Sequence, residues 1–480
     1  MDERQQPVVV IHNENSAYPT IDYAPAKTSR DSERSTNSNQ PQHVCEMIGL
    51  ALALLGLDSQ RYGTPQWNPL SEIIKPGMKV LLKPNWVREY NLSGAQNILC
   101  MYTHPSVIKA VLDYVLKALG RSGEVTIGDA PLQSCDLSKL LWHTRLDSLV
   151  GDYRNKGFNV NIRDFRLRVQ HPRPSGDPTG YTLVDLGTDS FHSSRDYLAD
   201  RYRVASYNPK DMKSHHGAGK HEYLICNTAL DADVIISLPK LKTHKKSGVT
   251  GALKNFIGTV GRKEFLPHHT KGYPQAGGDE YSRKSLLKAL HGELIDILFG
   301  DLSQRFRIIG FLSHLGVSLS RSALSPFDRE VIDGSWEGND TLWRTILDVT
   351  RILQYYDRSH SSMSNSRQRE ILTIVDGIVA GEGDGPLAPT SRNAGVIIAG
   401  ADLVATDATI AKLIGIDIRR IPSIVKATGL RRWPLTLIDD FDGIRLKSLS
   451  NGEYKEFLLP ELPSLKFVLP LGWQQQTEIA

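Results

Sequence analysis

The sequence predicts an α/β protein in which a layered, mostly parallel sheet is flanked by helices. Short apolar runs recur along the chain, and they are continuous rather than alternating, as in strands whose two faces are both covered. Segments with apolar residues at helical spacing separate several of these runs, an order typical of α/β architecture. The chain has 480 residues, which is enough for roughly two or three domains.

The first part of the predicted α/β domain covers residues 43–274. We expect residues 1–42 before it to form a flexible segment, because residues 13–42 are polar, serine-rich and poor in large apolar side chains. The predicted elements are, in chain order, a helix in HVCEMIGLALALLGL (43–57), a strand in PGMKVLLKPNWV (76–87), a helix in HPSVIKAVLDYVLKALG (104–120), and strands in EVTIGDAP (124–131) and DADVIISLP (231–239).

The second part of the α/β domain covers residues 369–480. EILTIVDGI is predicted to be a strand, and AGVIIAGADLVATDATIAKLIGI (394–416) a strand, a turn and a helix. Between the two parts, residues 275–368 show a weaker pattern with helical segments such as TLWRTILDVTRILQYY. We expect this stretch to be a helical insertion or lid.

Charge and cysteine placement exclude several classes of protein. The formal net charge of +4 is small for a duplex-binding surface, so nucleic acid is not an expected partner. No apolar run is long enough to cross a membrane and the first residues lack the order of a signal peptide, so we expect a cytosolic protein without a membrane partner. The oligomeric state is left open. Four separated cysteines without CxxC spacing predict that the chain encodes no iron–sulfur cluster: Cys45, Cys100, Cys135 and Cys226.

Polar residues follow the apolar part of each predicted strand. Ligands of open α/β sheets bind outside the carboxyl ends of the strands, so this repeated pattern predicts one shared site. The residues at these positions include Lys83, Asn85, Asp129, Lys240, Lys242, Asp376 and Asp402.

The stretch LPKLKTHKKSGVTGALKNFIG places five lysines behind a strand that is predicted to be buried. Lysines are readily solvated in a water-filled cleft, and they bind an anionic ligand there. We therefore expect Lys242, His244 and Lys254 to contact an anion, and Lys245 and Lys246 to cover the surface as ordinary charged residues. The stretch is not a P-loop, because its glycines do not have the G-x-x-x-x-G-K-[ST] spacing.

A second set of candidates is acidic. VDGIVAGEGDGPLAP sets Asp376 and Glu382 among glycines, a pattern suited to holding a cation or a general base. Asp402 and Asp407 lie at the next strand-to-helix turn, where they could bind a metal ion or one of them could cap the helix. His268, in LPHHTKG, could supply a metal ligand or belong to a solvated loop.

Several of these blocks together resemble the domain of unknown function 362 family. The similar segments are KPNWV, THPSVIKAVLDYVLK with GDAP, LPKLKTHKKSGVTGALKNFIGTVGRKEFLPHH, and IVDGIVAGEGDGPLAP with GADLVATDATIAKLIG. The order and spacing of these blocks match the family's pattern. The family-like positions are Lys83, Asn85, Asp129, Lys240, Lys242, His244, Lys254, Asn255, His268, Asp376, Glu382, Gly385, Asp402 and Asp407.

The resemblance implies little about the reaction. Many members carry an appended ferredoxin-like iron–sulfur module, and this chain departs from them because it has no cysteine cluster. In the polar layout of its strand ends, the family is similar to lactate racemase-type enzymes, which use a nickel-pincer cofactor on 2-hydroxy acids.

The residues favour an enzyme that acts on a small anionic metabolite, carrying a carboxylate or a phosphate, by an isomerase-type or other proton transfer. His244 is the expected acid or base near neutral pH, supported by Lys242, Asp376 and Glu382. The expected substrate-binding residues are Lys83, Asn85, Asp129, Lys240, Lys254 and Asn255. The cofactor is unknown; if a divalent metal is bound, its expected ligands are Asp402, Asp407 and His268.

Two alternatives remain for the function. In one, the chemistry belongs to a metal or organometallic cofactor that the lysines and the histidine contact. In the other, the protein is a non-catalytic module that binds an anionic metabolite or a partner and is stabilised by it without turnover.

Overall fold

The computed structural model describes residues 6–19, 44–167, 176–204 and 207–474. Its helices are α1 Val44–Leu54, α2 Pro105–Leu119, α3 Leu137–Thr144, α4 Leu146–Asn155, α5 Pro209–His215, α6 Asn227–Leu230, α7 Ala252–Asn255, α8 Leu286–Phe299, α9 Asp301–Arg305, α10 Arg307–Ala323, α11 Pro326–Glu330, α12 Leu342–Tyr355, α13 Leu403–Ile414 and α14 Pro422–Val425. Its strands are β1 Val8–His12, β2 Lys79–Pro84, β3 Glu124–Asp129, β4 Val160–Asp164, β5 Tyr181–Asp185, β6 Tyr202–Arg203, β7 His216–Gly217, β8 Lys220–Cys226, β9 Val234–Leu238, β10 Lys240–His244, β11 Gly248–Thr250, β12 His269–Thr270, β13 Tyr356–Asp357, β14 Ser362–Met363, β15 Glu370–Asp384, β16 Ala388–Gly400, β17 Arg445–Ser450 and β18 Glu453–Leu458.

A central sheet runs through the molecule in the order β18-β17-β1-β16-β15-β9-β2-β3-β4, with β10 and β11 joined to it at β15. The strands from β15 to β4 pair in parallel, and β10 and β17 add further parallel pairs with β15 and β1. Antiparallel pairs join β16 to its two neighbours, β17 to β18, and β10 to β11. The predicted fold class, an α/β protein with a mostly parallel sheet, is confirmed.

Helices cover both faces of this sheet. In β2, Leu81 packs into the core that contains α12 and α13, whereas Val80 and Leu82 pack into the core that contains α1 and α2. Because alternate side chains of one strand enter different cores, every position needs an apolar residue. This explains why the strands appear in the sequence as continuous apolar runs.

The amino-terminal residues differ from the expectation of a flexible segment over 1–42. Val8–His12 forms β1, which lies in the interior of the sheet between β16 and β17. The four consecutive apolar residues VVVI contribute side chains to both cores. The polar residues that follow them make this short strand hard to recognise in the sequence. The rest of the predicted segment, residues 20–42, lies outside the described residues.

The stretch predicted as an insertion contains two kinds of helix. Helices α8 and α10 pack on each other and keep large apolar side chains exposed, including Leu290 and Phe311. Helix α12 is instead buried within the main core, where it contacts α7. The proposed domain boundaries stay a prediction. Among the described residues, none of the helices combines the length and the apolar character needed to cross a bilayer.

The parallel strands bring three carboxyl ends to one edge of the sheet. β2, β3 and β9 are neighbours, and Lys83 of β2 lies opposite Ser237 of β9. β10 begins two residues after β9 ends and continues away from that edge alongside β15. The predicted site residues of these strands therefore lie in one region.

Candidate functional site

Lys83 and Asp129 form a buried ion pair at the ends of β2 and β3. The Lys83 Nζ to Asp129 Oδ1 distance is 2.6 Å, and Asp129 also accepts hydrogen bonds from the backbone N–H groups of Trp86 and Ala130. A Cβ at Gly258 would lie 1.8 Å from Asp129 Oδ1 and 2.6 Å from Lys83 Nζ. Position 258 therefore has to be glycine, because its backbone packs directly on the pair.

A second buried ion pair joins Lys240 of β10 to Asp376 of β15, with an Nζ to Oδ2 distance of 3.0 Å. Tyr18 completes it: its hydroxyl donates to Asp376 Oδ1 and accepts from Lys240 Nζ, each at 2.5 Å. Its ring stacks on His104, with ring centroids 3.8 Å apart, and the backbone N–H of His104 also donates to Asp376. Burial, reinforced by the Asp376 charge, raises the pKa of Tyr18 well above its usual value.

Lys240, Lys242 and His244 occupy alternate positions of β10, so an extended strand places them on one face. Lys242 is fully buried, but its Nζ donates to a backbone carbonyl, that of Met101, at 2.9 Å. It forms no ion pair with a described carboxylate. Burial lowers the pKa of Lys242 to about 7, and the charges of Lys254 and Lys240 favour the same direction.

Two further lysines follow on the chain. Lys254 lies on α7, and its Nζ has no hydrogen-bond or ion-pair partner among the described residues. Burial lowers its pKa to about 7, with additional lowering by the charges of Lys263 and Lys246. Lys263 donates to the carbonyl of Ala130 at 2.8 Å, and burial lowers its pKa to about 8.

His244 is held as a neutral imidazole. Its Nδ1 accepts from the backbone N–H groups of Lys246 and Ser247 at 3.1 and 3.3 Å, so in the neutral ring the proton is on Nε2. Burial lowers the pKa of His244 well below its usual value, and nearby lysine charges add to this. His268 has the opposite tautomer, because its Nδ1 donates to the carbonyl of Leu266; burial lowers its pKa to about 3.

We refer to these groups together as the basic cluster: Lys83, Lys240, Lys242, His244, Lys254, Lys263 and His268. Two carboxylates, Asp129 and Asp376, lie among its lysines, and each is paired with one of them. Lys254 and His268 are partly exposed, so they mark the side from which solvent reaches the cluster. The structure thus brings most of the predicted substrate-binding and catalytic residues together.

The other predicted residues of this group have structural partners. Asn255 donates to the carbonyl of Lys83 and to Ser237 Oγ, which ties α7 to the ends of β2 and β9. Asn85 contributes its backbone N–H to Thr103 Oγ1, while its side-chain Oδ1 is buried without a hydrogen-bond partner among the described residues. Glu382 pairs with Arg392 at 2.9 Å, farther along β15 and outside the basic cluster.

The three predicted metal ligands do not form one group of ligand atoms within 4.8 Å in the described part of the chain. Asp402 caps α13 by accepting from the N–H groups of Val404 and Ala405. Asp407 accepts from the N–H groups of Ala252 and Leu253 and so caps α7, and burial raises its pKa to about 7. His268 lies in the basic cluster. The helix-capping alternative thus accounts for the contacts of both carboxylates.

Sequence reasoning missed Tyr18, His104 and Lys263. Tyr18 belongs to a polar stretch, SAYPT, that gives no sign of burial. Lys263 lies within a recognised block, in GRKEF, and could have been included for that reason. A small surface pocket lies elsewhere, at the amino ends of β2 and β3, and none of the predicted site residues lines it.

Comparisons with known proteins give a similar sequence, a similar structure and a family model. A thylakoid-associated protein of Synechocystis sp. is 22% identical over 393 residues, which are 82% of this chain and 80% of that protein. A lactate racemase apoprotein structure from Thermoanaerobacterium thermosaccharolyticum aligns with 10% identity and a TM-score of 0.25, over 71% of this chain and 51% of that chain. This chain thus spans about half the length of that racemase. Residues 192–412 match the family model described as a domain of unknown function, DUF362, and the family predicted from the sequence is confirmed over that segment.

Proposed function

We propose that the protein binds a small anionic metabolite, carrying a carboxylate or a phosphate, at the basic cluster and catalyses proton transfer on it. One observation carries this proposal: Lys242 is fully buried and Lys254 half-buried beside the two ion pairs, and neither has a carboxylate of its own among the described residues. A charged lysine without a counter-ion is costly to bury, and an anionic ligand would supply the missing charge.

The proton transfer is assigned to one of these two lysines in its neutral form rather than to His244, while the other lysine stays protonated and pairs with the anion. A general base works best when its pKa lies near the working pH, and burial lowers the pKa values of Lys242 and Lys254 to about 7. His244 keeps its proton on Nε2, so its role is to donate a hydrogen bond to an oxygen of the ligand. Removal of a proton beside a carboxylate and its return on the other face would be an isomerase-type reaction.

Anion binding is tested by calorimetric titration with two probes, inorganic phosphate and lactate. We expect saturable binding of at least one probe to the full chain, with at least tenfold weaker binding to Lys254→Met and Lys242→Met, because each lacks a charge that contacts the anion. The matched control is Lys109→Met, which removes a partly exposed lysine of α2 that pairs with Asp113. Equal binding to Lys254→Met and the native protein would contradict the proposal.

Turnover is tested separately by incubating lactate and other 2-hydroxy carboxylates with the protein in D₂O. We expect deuterium to enter the position beside the carboxylate, as seen by proton NMR, and to enter more slowly with Lys254→Met. Binding without any exchange would favour the non-catalytic alternative.

A further inference from the structure

We propose that His269, Glu280 and Asp333 form a binding site for a divalent transition-metal cation such as Zn²⁺ or Mn²⁺. Each residue offers one ligand atom, and these atoms lie within 4.8 Å of one another. The three residues come from different segments: His269 from β12, Glu280 from the loop after it, and Asp333 from the loop after α11. The site does not include any residue of the basic cluster, and the proposal does not depend on anion binding there.

Several of the candidate ligand atoms have no hydrogen-bond partner among the described residues. Neither ring nitrogen of His269 makes a hydrogen bond with a described residue, although the side chain is buried and its Nδ1 is inaccessible to solvent. Glu280 is also buried; its Oε2 accepts from the backbone N–H of Gly272, and it forms no ion pair in the described part of the chain. Buried polar groups normally have hydrogen-bond partners, so side-chain atoms without one indicate that a ligand is missing here.

Asp333 adds a second carboxylate to the same place. Its side chain makes no hydrogen bond and no ion pair with the described residues, and its backbone has a φ of 57°, in the left-handed region. Aspartate tolerates this conformation better than most residues, but it is still uncommon outside glycine. Two carboxylates held beside each other repel. The ammonium groups of Lys246 and Lys271 offset part of this repulsion without forming an ion pair with either carboxylate, and a cation between the two would offset it directly.

Hydrogen bonds between the three segments hold this arrangement. The backbone N–H of Gly334 donates to the carbonyl of Glu280 at 2.9 Å, and the side-chain amide of Asn339 bridges the carbonyls of His268 and Gly334. A Cβ at Gly334 would lie 2.8 Å from the Cβ of His269, so this glycine allows the loops to approach closely. The ligands are therefore positioned before any cation binds.

The ligand set suits a transition metal better than calcium. One imidazole nitrogen with two carboxylate oxygens is a donor set that Zn²⁺, Mn²⁺ and Fe²⁺ accept, whereas Ca²⁺ takes six to eight oxygen ligands. Three protein ligands leave at least one coordination position for water or another ligand.

The test begins with the full chain stripped of metal by a chelator and dialysed. We expect isothermal titration with Zn²⁺ or Mn²⁺ to show one equivalent bound, and the Tm of the stripped protein to rise when that metal is restored. Three variants should each weaken binding at least tenfold: His269→Gln, Glu280→Gln and Asp333→Asn. Asp333 is only partly buried, and asparagine tolerates its backbone conformation, so this variant keeps the test valid if the other two fail to fold.

The control is the neighbouring His268→Gln, whose Nδ1 is already engaged with the carbonyl of Leu266. It should bind the metal as the native protein does. The proposal is overturned if the stripped protein shows no saturable binding of either ion, or if His268→Gln loses the metal while Asp333→Asn retains it.

Discussion

The lysines of the basic cluster are less stable in their charged form in this buried environment than they would be in water. Lys83 and Lys240 are each matched by a carboxylate, whereas Lys242 and Lys254 have none among the described residues. The sequence predicted Lys242, His244 and Lys254 because they flank a glycine-interrupted turn behind a strand. It did not predict that Tyr18 contacts Asp376, because the two residues are far apart in the chain and no local pattern shows that they meet.

Replacing Lys254 with methionine should stabilise the ligand-free protein. The folded-state pKa of about 7 lies below that of an exposed lysine, so the unfolded state binds more protons between about pH 7 and about pH 10.4. The destabilising effect of the charge is therefore complete below pH 7 and disappears as the pH rises through this window. We expect the free energy of unfolding of Lys254→Met to be higher than that of the native protein at about pH 6.5. At about pH 9.5 this difference should be lost.

Urea unfolding of the two proteins without added phosphate or carboxylate measures this difference. Lys109→Met should change stability little at either pH, because its lysine is partly exposed. If the native protein were as stable as Lys254→Met at both pH values, the charge of Lys254 would not lower the free energy of unfolding.

At the scale of elements, the short helix α7 and the strand β10 carry several residues of the basic cluster. The alternation of Lys240, Lys242 and His244 along β10 could be predicted once the strand was recognised, because side chains of a strand alternate between faces. Helix α7 could not be predicted, since it has four residues and depends on Asp407, which is far away in the sequence. The same distance explains why Asp407 was interpreted as a metal ligand or as a cap of its own helix.

Removing the distant cap of α7 should weaken both the fold and the site. Asp407→Ala leaves the N–H groups of Ala252 and Leu253 without acceptors in the interior, which costs roughly 1–3 kcal/mol. Because α7 carries Lys254, phosphate or lactate binding should weaken as well. Asp417→Ala removes an exposed cap elsewhere and is the control for both measurements, urea unfolding and calorimetry. Unchanged stability of Asp407→Ala would show that α7 does not need this carboxylate.

At the scale of the whole molecule, the sheet is assembled from both ends of the chain. The sequence predicted the sheet and the helices on its two faces, because each apolar run carries a local signal. It did not predict β1, whose role is set by pairing: Val10 lies opposite Ile398 on one side and Ser448 on the other. Such long-range partners have no periodic signature, so pattern reasoning cannot find them.

A substitution in β1 should therefore act on the whole fold. Ile11 is fully buried, and Ile11→Ala should lower the free energy of unfolding by roughly 2–5 kcal/mol, through the lost contacts and the cavity left behind. Val468→Ala, at a position that is 55% exposed, should change it little. Urea unfolding again gives the comparison. A native-like Ile11→Ala protein would show that β1 contributes little to the stability of the sheet.

The interior position of β1 also sets an order of events during synthesis. This strand leaves the ribosome long before its partners β16 and β17, which lie several hundred residues later in the sequence. An apolar strand with unpaired backbone groups must therefore wait until both partners have been made, and during that time it is open to pairing with other chains. A protein built in this way is expected to fold slowly and to rely on chaperones while it is being translated.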